Sequence, residues 1–236
     1  MKCYICGAEI SDMNNLNAMK NRPVDESRYP FGLSLLHCYI RCFECLLHKS
    51  YRLQLKTWKV RSRDGSKQAM ELKKKEIQAL FRTRMDLNVD FPKQGYGTSN
   101  DGNTARRFFA DAKLSAEITG INQNLIHRFS VILKALASGF QINVAPFTEY
   151  CLSTASLFEK LYAWYYMPPV VHKLLIHGAA IVKEAILPIG ILSEEAMEAR
   201  NKDIRRFREQ HTRKSSRKAA NEDLFRRLLL TSDPFI

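Results

Sequence analysis

Apolar residues recur at helical spacing along most of the chain, a pattern that predicts a mainly α-helical protein. The first long segment of this kind, residues 33–58, indicates either one long helix or two helices separated by a break. The same pattern predicts further helices over residues 67–84, 112–118, 122–137 and 145–165. Turns at Thr119-Gly120 and Ser138-Gly139 separate the last three of them.

The final third of the chain also favours helices. Pro168-Pro169 is expected to start one, because proline is tolerated in the first turn of a helix. A basic helix is predicted after Glu198. The tail from Asn221 predicts an amphipathic helix that Asp233-Pro234 ends.

Composition narrows the class of protein. A chain of 236 residues can bury the core of one or two domains, and a hydrophobic content of 45% is typical of a globular protein. We expect no membrane span, because no uninterrupted run of about 18 apolar residues occurs.

The N-terminus lacks the apolar stretch of a secretory signal, which predicts an intracellular protein whose cysteines are free or metal-bound. The net charge of +13 favours a polyanion, first nucleic acid and second an anionic membrane surface.

The segment from residue 198 to residue 218 is dense in arginine and lysine. Three acidic residues oppose nine cations there, too few for a lattice of salt bridges, so we favour contact with phosphates over a solvated helix face. At helical spacing, Arg206, Arg213 and Arg217 are predicted to form one ridge.

Two short motifs each supply half of a tetrahedral metal site. Cys3 and Cys6 have the spacing of a zinc knuckle, although reduced structural thiols and redox chemistry remain alternatives. His172 and His177 would lie roughly 140° apart on an ideal helix, too far round to share one metal unless Gly178 supplies a bend. Each half lacks two ligands, so the presence of both halves favours one shared Cys2His2 zinc site.

Two further clusters are interpreted as packing. Cys38, Cys42 and Cys45 share one face of the first predicted helix, where small apolar residues pack more often than they bind metal. The aromatic residues between 158 and 166 could stack on bases, but beside an apolar helix we expect them in the core. The charged helix over residues 67–84 stays open between a solvated surface helix and a second phosphate-facing element.

A loop rich in glycine and asparagine, residues 91–103, precedes a helix that Thr104 is predicted to cap. Backbone N–H groups beside a helix start can hold a phosphate, and Arg106 and Arg107 follow on this helix. From the residues alone, a turn and a helix cap are the favoured interpretation. The loop contains no G-K-[ST], so we expect no nucleotide cofactor.

Several of these stretches resemble Transib transposases and, more distantly, the catalytic subunit of the vertebrate V(D)J recombinase. The resemblance is carried by E-A-R-N-K-D-I-R-R-F-R, by the following H-T-R-K-S-S-R-K-A-A-N-E-D-L-F, by N-D-G-N-T-A-R-R-F-F and by L-L-H-C-Y-I-R-C-F-E-C-L-L-H-K-S-Y-R-L. It implies that Glu198 is the catalytic third carboxylate of an RNase H-like D-D-E site, which uses Mg²⁺ or Mn²⁺ when complete. It also implies one zinc ion held by a C-x-x-C and a distant H-x4-H, here Cys3, Cys6, His172 and His177.

The same resemblance implies a nuclear protein whose partner is the DNA of transposon ends. The expected DNA contacts are Arg106, Arg107, Arg200, Lys202, Arg205, Arg206, Arg208, Arg213, Lys214 and Arg217. The oligomeric state is not decided by the sequence, and a homodimer stays open. We expect four segments: a zinc knuckle and connection over 1–30, a helical zinc-binding insertion region over 31–166, a histidine-pair zinc helix over 167–192, and a catalytic-glutamate basic helix with a C-terminal helix over 193–236.

The two catalytic aspartates of that family lie upstream of the zinc cysteines, and here Met1 and Lys2 precede Cys3. Two-metal phosphoryl transfer needs several carboxylates. We therefore expect a truncated transposase-like segment, a multi-helix zinc-binding region followed by the last helix of an RNase H-like core and a helical tail. It would bind zinc and DNA without cleaving strands. The alternatives are the C-terminal part of a longer, active D-D-E transposase and a non-catalytic helical module that binds DNA or protein.

Overall fold

The computed structural model describes residues 2–59, 65–93, 97–191 and 195–231, without the side chains of Lys20 and of residues 195–199. The described chain is mainly helical, as predicted, and it divides into two compact units, Met1–Leu192 and Ser193–Ile236. The helices of the first unit are α1 (Leu16–Lys20), α2 (Leu35–Ser50), α3 (Ser66–Met85), α4 (Gly102–Ala110), α5 (Ala112–Thr119), α6 (Gln123–Ala137), α7 (Val144–Tyr162), α8 (Pro169–His172) and α9 (Gly178–Glu184).

Three short elements complete the first unit. A 3₁₀ turn, Glu26–Phe31, follows α1, and a π-helical turn, Lys173–His177, joins α8 to α9. Two-residue strands β1 (Pro92–Lys93) and β2 (Gly97–Thr98) pair antiparallel between α3 and α4.

The helix α2 lies at the centre of this unit and packs against α4, α6 and α8. It begins after Ser34, whose hydroxyl accepts a hydrogen bond from the backbone N–H of His37 and so caps the helix. Its apolar stripe is buried as the sequence pattern predicts, with Phe43 and Leu46 fully enclosed. Turns over residues 51–56 follow Ser50, so residues 33–58 form one helix and a turn segment, neither of the two predicted arrangements.

The helix after the glycine-rich loop is capped by Asp101, and the prediction of Thr104 as the cap is wrong. The Asp101 carboxylate accepts hydrogen bonds from the backbone N–H and the hydroxyl of Thr104, both at 2.9 Å. Asp90 fixes the start of the same loop, since its carboxylate lies 3.3 Å from His48 Nε2 and 2.9 Å from Lys74 Nζ. Although burial opposes it, these two partners hold the pKa of Asp90 well below its usual range.

The second unit is a hairpin of α10 (Glu195–Gln210) and α11 (Arg217–Leu230). Phe207 and Leu224 are buried in it. The backbone N–H and the guanidinium of Arg213 donate three hydrogen bonds of 2.8–2.9 Å to the Asp223 carboxylate, which ties the connection to α11. Among the described residues, no helix has both the length and the apolar character that crossing a membrane requires.

One buried asparagine ties the N-terminal segment to the chain just before α8. The Asn14 amide donates to the carbonyl oxygens of Ala163 and Tyr165 at 3.1 and 2.9 Å, and its own oxygen accepts from the backbone N–H of Met167 at 2.8 Å. These three groups of the 163–167 turn lie outside regular helix, so the side chain supplies the partners that a helix would have supplied.

We predict that Asn14→Ala lowers the free energy of unfolding by on the order of 3 kcal/mol, because it leaves buried backbone groups without partners. Urea denaturation followed by circular dichroism would measure this loss. Asn17→Ala is the matched control, since Asn17 is exposed on the neighbouring helix α1. Equal stability of the two variants would contradict the assignment.

Candidate metal centre

The first two ligand candidates lie on a tight backbone hairpin. The N–H of Gly7 donates to the carbonyl of Cys3 at 2.8 Å, and the N–H of Cys3 donates to the carbonyl of Ala8 at 2.8 Å. Gly7 has a φ of +64°, a left-handed conformation that glycine adopts without strain. A backbone hydrogen bond from Ala8 also reaches the Cys6 thiol. This is the local geometry of a zinc knuckle, as the spacing predicts.

The two histidines are brought to one side of their helix by the π-helical turn. His172 ends α8 and His177 ends the turn Lys173–His177. In a π turn the backbone hydrogen bonds run from residue i to i+5, so residues five apart come close instead of lying on different faces. The ring centroids are 5.1 Å apart. Gly178 is helical, with a φ of −57°, so the bend predicted at this glycine is wrong.

These four side chains meet in the core of the first unit, as predicted. One ligand atom from each of Cys3, Cys6, His172 and His177 lies within 4.8 Å of all the others, and all four residues are buried. Cys6 Sγ lies 3.4 Å from His172 Nε2, across 166 residues of sequence. The cluster could hold a metal ion such as zinc.

Burial shifts the pKa values of His172, His177 and Cys6. It lowers the pKa of His172 to about 3, with a further contribution from His177, and it lowers the pKa of His177 to about 4. Burial raises the pKa of the Cys6 thiol, while the hydrogen bond from Ala8 acts in the opposite direction. At neutral pH both imidazoles are therefore uncharged, the form in which histidine binds metal.

The residues present fit a metal ion. His177 Nε2 is buried without a hydrogen-bond partner, which is costly for an imidazole unless another group binds it. Two sulfur and two nitrogen donors form the ligand set of a structural Cys2His2 zinc site. All four ligands come from the protein and all are enclosed, which leaves no ligand position for substrate. The arrangement suits a structural site and not a catalytic one.

Three residues that the sequence patterns did not single out hold the knuckle against the rest of the unit. Lys173 Nζ donates to the Tyr4 hydroxyl and to the carbonyl of Gly32, both at 3.1 Å. Arg22 Nε donates to the carbonyl of Cys6 at 2.8 Å. Asn14 is the third of these residues. No residue type in this set is typical of a metal site, so no sequence pattern marks these positions before the chain has folded.

The basic residues predicted to contact DNA fall into two groups. Arg107 donates to the backbone carbonyls of Met85 and Asp86 at the end of α3, and the Arg106 guanidinium lies 5.1 Å from the Tyr39 ring centroid. Both arginines therefore take part in packing between α4 and its neighbours.

In the second unit, Arg200 donates to the Leu228 carbonyl at 3.0 Å, Arg213 holds Asp223, and Lys214 donates to the carbonyl of Arg208. Among the predicted DNA contacts of this second unit, those with exposed side chains are Lys202, Arg205, Arg206, Arg208, Arg213, Lys214 and Arg217. Because α10 ends at Gln210, Arg206 shares no helix with Arg213 or Arg217, and the predicted ridge is wrong.

The remaining residues singled out in the sequence are Glu198, the three cysteines of α2 and the aromatic cluster. Glu198 lies in α10, but its side chain falls outside the described residues. Cys38, Cys42 and Cys45 are buried on α2 and form no second metal group among the described residues. In the aromatic cluster, Phe158, Tyr162 and Tyr165 are buried around Lys49, whose Nζ lies 3.4 Å from the Phe158 ring centroid. Trp164 and Tyr166 are partly buried. Burial lowers the pKa of Lys49 to about 7; nothing in the helical pattern marks this lysine as a core residue.

We predict that the metal-free protein loses stability as the pH falls from 7 to 5. Unfolded histidine has a pKa near 6.5, whereas His172 and His177 stay neutral in the folded chain until much lower pH. Below pH 6.5 the unfolded state therefore binds more protons, and each histidine contributes a slope of about 1.4 kcal/mol per pH unit. Urea titrations in a chelator at several pH values would measure it. A variant carrying His172→Asn and His177→Asn should flatten the slope, and an equally steep slope in that variant would contradict the prediction.

No family model matches the chain, and no curated protein matches it. The resemblance to Transib transposases therefore rests on the sequence motifs alone.

Proposed function

We propose that this chain is a zinc-stabilised DNA-binding segment of the Transib transposase type. The observation that carries the proposal is the meeting of Cys3, Cys6, His172 and His177 around one point. The resemblance implies this pairing of a C-x-x-C with a distant H-x4-H, and the same four residues are those that come together. The fold beyond the mainly helical architecture, including the last helix of an RNase H-like core, belongs to the proposal.

Zinc is the metal that this ligand set favours. Thiolate and imidazole together suit zinc, whereas magnesium and calcium take oxygen ligands. The ion would be held by the knuckle on one side and by the helix that carries His172 and His177 on the other. When bound, it supplies a cross-link between segments far apart in sequence, and its binding free energy becomes folding free energy.

DNA binding is assigned to the exposed cations of α10. Lys202, Arg205 and Arg208 follow one another at intervals of three residues and are exposed. Arg205 pairs with Glu209 at 3.6 Å, an exposed pair within one helix that contributes little and can be exchanged for a phosphate. The net charge of +13 favours the same partner. Location in the nucleus follows from this partner and is part of the proposal.

Strand cleavage is not assigned to this chain by itself. Phosphoryl transfer with two Mg²⁺ or Mn²⁺ ions needs several carboxylates that converge, and the resemblance supplies Glu198 alone. In a longer D-D-E transposase of which this chain is the C-terminal part, Glu198 would be the third carboxylate. A non-catalytic helical module that binds DNA or protein is the other alternative.

We predict one zinc ion per chain in purified protein, because the four ligands are buried and complete a tetrahedral set. Mass spectrometry of metals would measure the stoichiometry after dialysis against a weak chelator. Combining His172→Asn with His177→Asn should remove the ion, whereas His127→Asn, at an exposed position on α6, should keep it. Full zinc content in the double variant would rule the site out.

We predict that the chain binds duplex DNA with an affinity that falls linearly on logarithmic axes as salt rises. Changing Lys202, Arg205 and Arg208 to glutamine should weaken binding and reduce the salt slope by up to about one unit for each phosphate that is no longer neutralised. Fluorescence anisotropy at several salt concentrations would measure both quantities.

The matched control changes Lys113, Lys134 and Lys160 to glutamine. These lysines are exposed in the first unit, and their substitution removes the same amount of positive charge. Equal losses of affinity in the two triple variants would show that net charge, and not α10, governs binding. That result would contradict the assignment to α10.

A further inference from the structure

The helix α11 carries an aromatic ring on its outer face. Phe225 is 65% exposed, whereas Leu224 next to it is buried in the hairpin. A phenylalanine in this position contributes little to folding, because most of its ring stays in water. Its exposed ring is a flat apolar surface available to a ligand.

Positive charge surrounds this ring. Phe225 lies in a shallow depression lined also by Arg217, Lys218, Asn221, Glu222 and Arg226. Residues three, four, seven and eight positions apart share one side of a helix, so the first two cations lie along the same face as the ring. The one carboxylate of the depression, on Glu222, is 3.9 Å from Arg213 and is partly neutralised by it. We call this surface, Arg217, Lys218, Asn221, Phe225 and Arg226, the Phe225 platform.

The charge distinguishes this surface from other exposed apolar residues. Phe140 is 77% exposed, but the depression beside it is lined mainly by aliphatic side chains, with Lys183 as its one cation. That surface offers only this single cation to a phosphate backbone. The Phe225 platform combines an open ring with three cations and an amide.

An open ring beside cations is the combination that binds single-stranded nucleic acid. Bases stack on aromatic side chains while basic residues contact the backbone, and each stacked base contributes a free energy of about 1–3 kcal/mol. In a duplex the bases are already stacked on one another, so the ring can engage only an unpaired base.

We infer that the Phe225 platform binds an unpaired base of single-stranded DNA, with Arg217, Lys218 and Arg226 on the flanking phosphates. The inference rests on the proposed function, since it specifies a second kind of DNA contact besides the duplex contacts assigned to α10. It predicts that duplex and single-strand affinities respond to different substitutions.

The test measures anisotropy of a labelled oligothymidine of about 15 nucleotides and of a labelled duplex with the full chain. Phe225→Ala should weaken single-strand binding about fivefold or more, the factor expected when one base no longer stacks, and leave duplex binding unchanged. Phe225→Tyr should restore single-strand binding, because tyrosine keeps the ring. Leu229→Ala is the matched control, since Leu229 is 59% exposed one turn further along α11.

Three outcomes would overturn the inference. The first is unchanged single-strand affinity in Phe225→Ala, and the second is an equal loss of affinity for single strand and duplex. The third is an equal loss in Phe225→Ala and Leu229→Ala with a change of sedimentation coefficient, which would identify the surface as an interface between copies of the chain. If the chain binds no duplex but its single-strand affinity depends on the ring at position 225, the proposed function fails and the inference about the platform holds.

Discussion

The structure depends on the closure between two segments that lie 166 residues apart in sequence, the Cys3–Cys6 knuckle and the helix carrying His172 and His177. Four buried donor atoms that could each bind a proton or a metal meet there. Without a metal, His177 Nε2 stays buried without a partner, and the Cys6 thiol stays protonated because burial raises its pKa. A bound zinc ion would replace these costs with four bonds, so metal binding is expected to add its free energy to the stability of the folded first unit.

Hydrogen bonds around the four ligands stabilise this closure. Asn14 ties the N-terminal segment to the turn before α8, and Lys173 reaches from the π turn back to the Tyr4 hydroxyl of the knuckle. Arg22 donates to the carbonyl of Cys6 and so fixes the backbone from which that thiol projects. Such contacts orient ligands in the way that outer residues of metal sites commonly do. In the second unit, Arg213 has a structural role, because it binds Asp223 and so stabilises the helical hairpin. This role differs from that of the exposed arginines of α10, to which DNA contacts are assigned.

Much of the fold could be predicted from the chain itself, because apolar periodicity reports which face of a helix is buried. The bounds of α3, α5, α6 and α7 differ by at most three residues from those expected. The metal ligands could be predicted because each half-site lacks two ligands and because the resemblance pairs a C-x-x-C with a distant H-x4-H. The π turn could not, since it depends on the packing of Lys173–His177 and not on a residue that marks it. The burial of Lys49 among aromatic rings could not be predicted either, because a lysine in a helical pattern is expected at the surface.

The measurement that tests the central claim most directly is X-ray absorption at the zinc edge of the purified chain, which reports the donor atoms around the ion. We expect two sulfur neighbours at about 2.3 Å and two nitrogen neighbours at about 2.0–2.1 Å. A shell of four sulfur atoms would indicate that other cysteines bind the metal, and a shell of nitrogen and oxygen alone would indicate a loosely held surface ion. Either result would contradict the closure of the chain by Cys3, Cys6, His172 and His177.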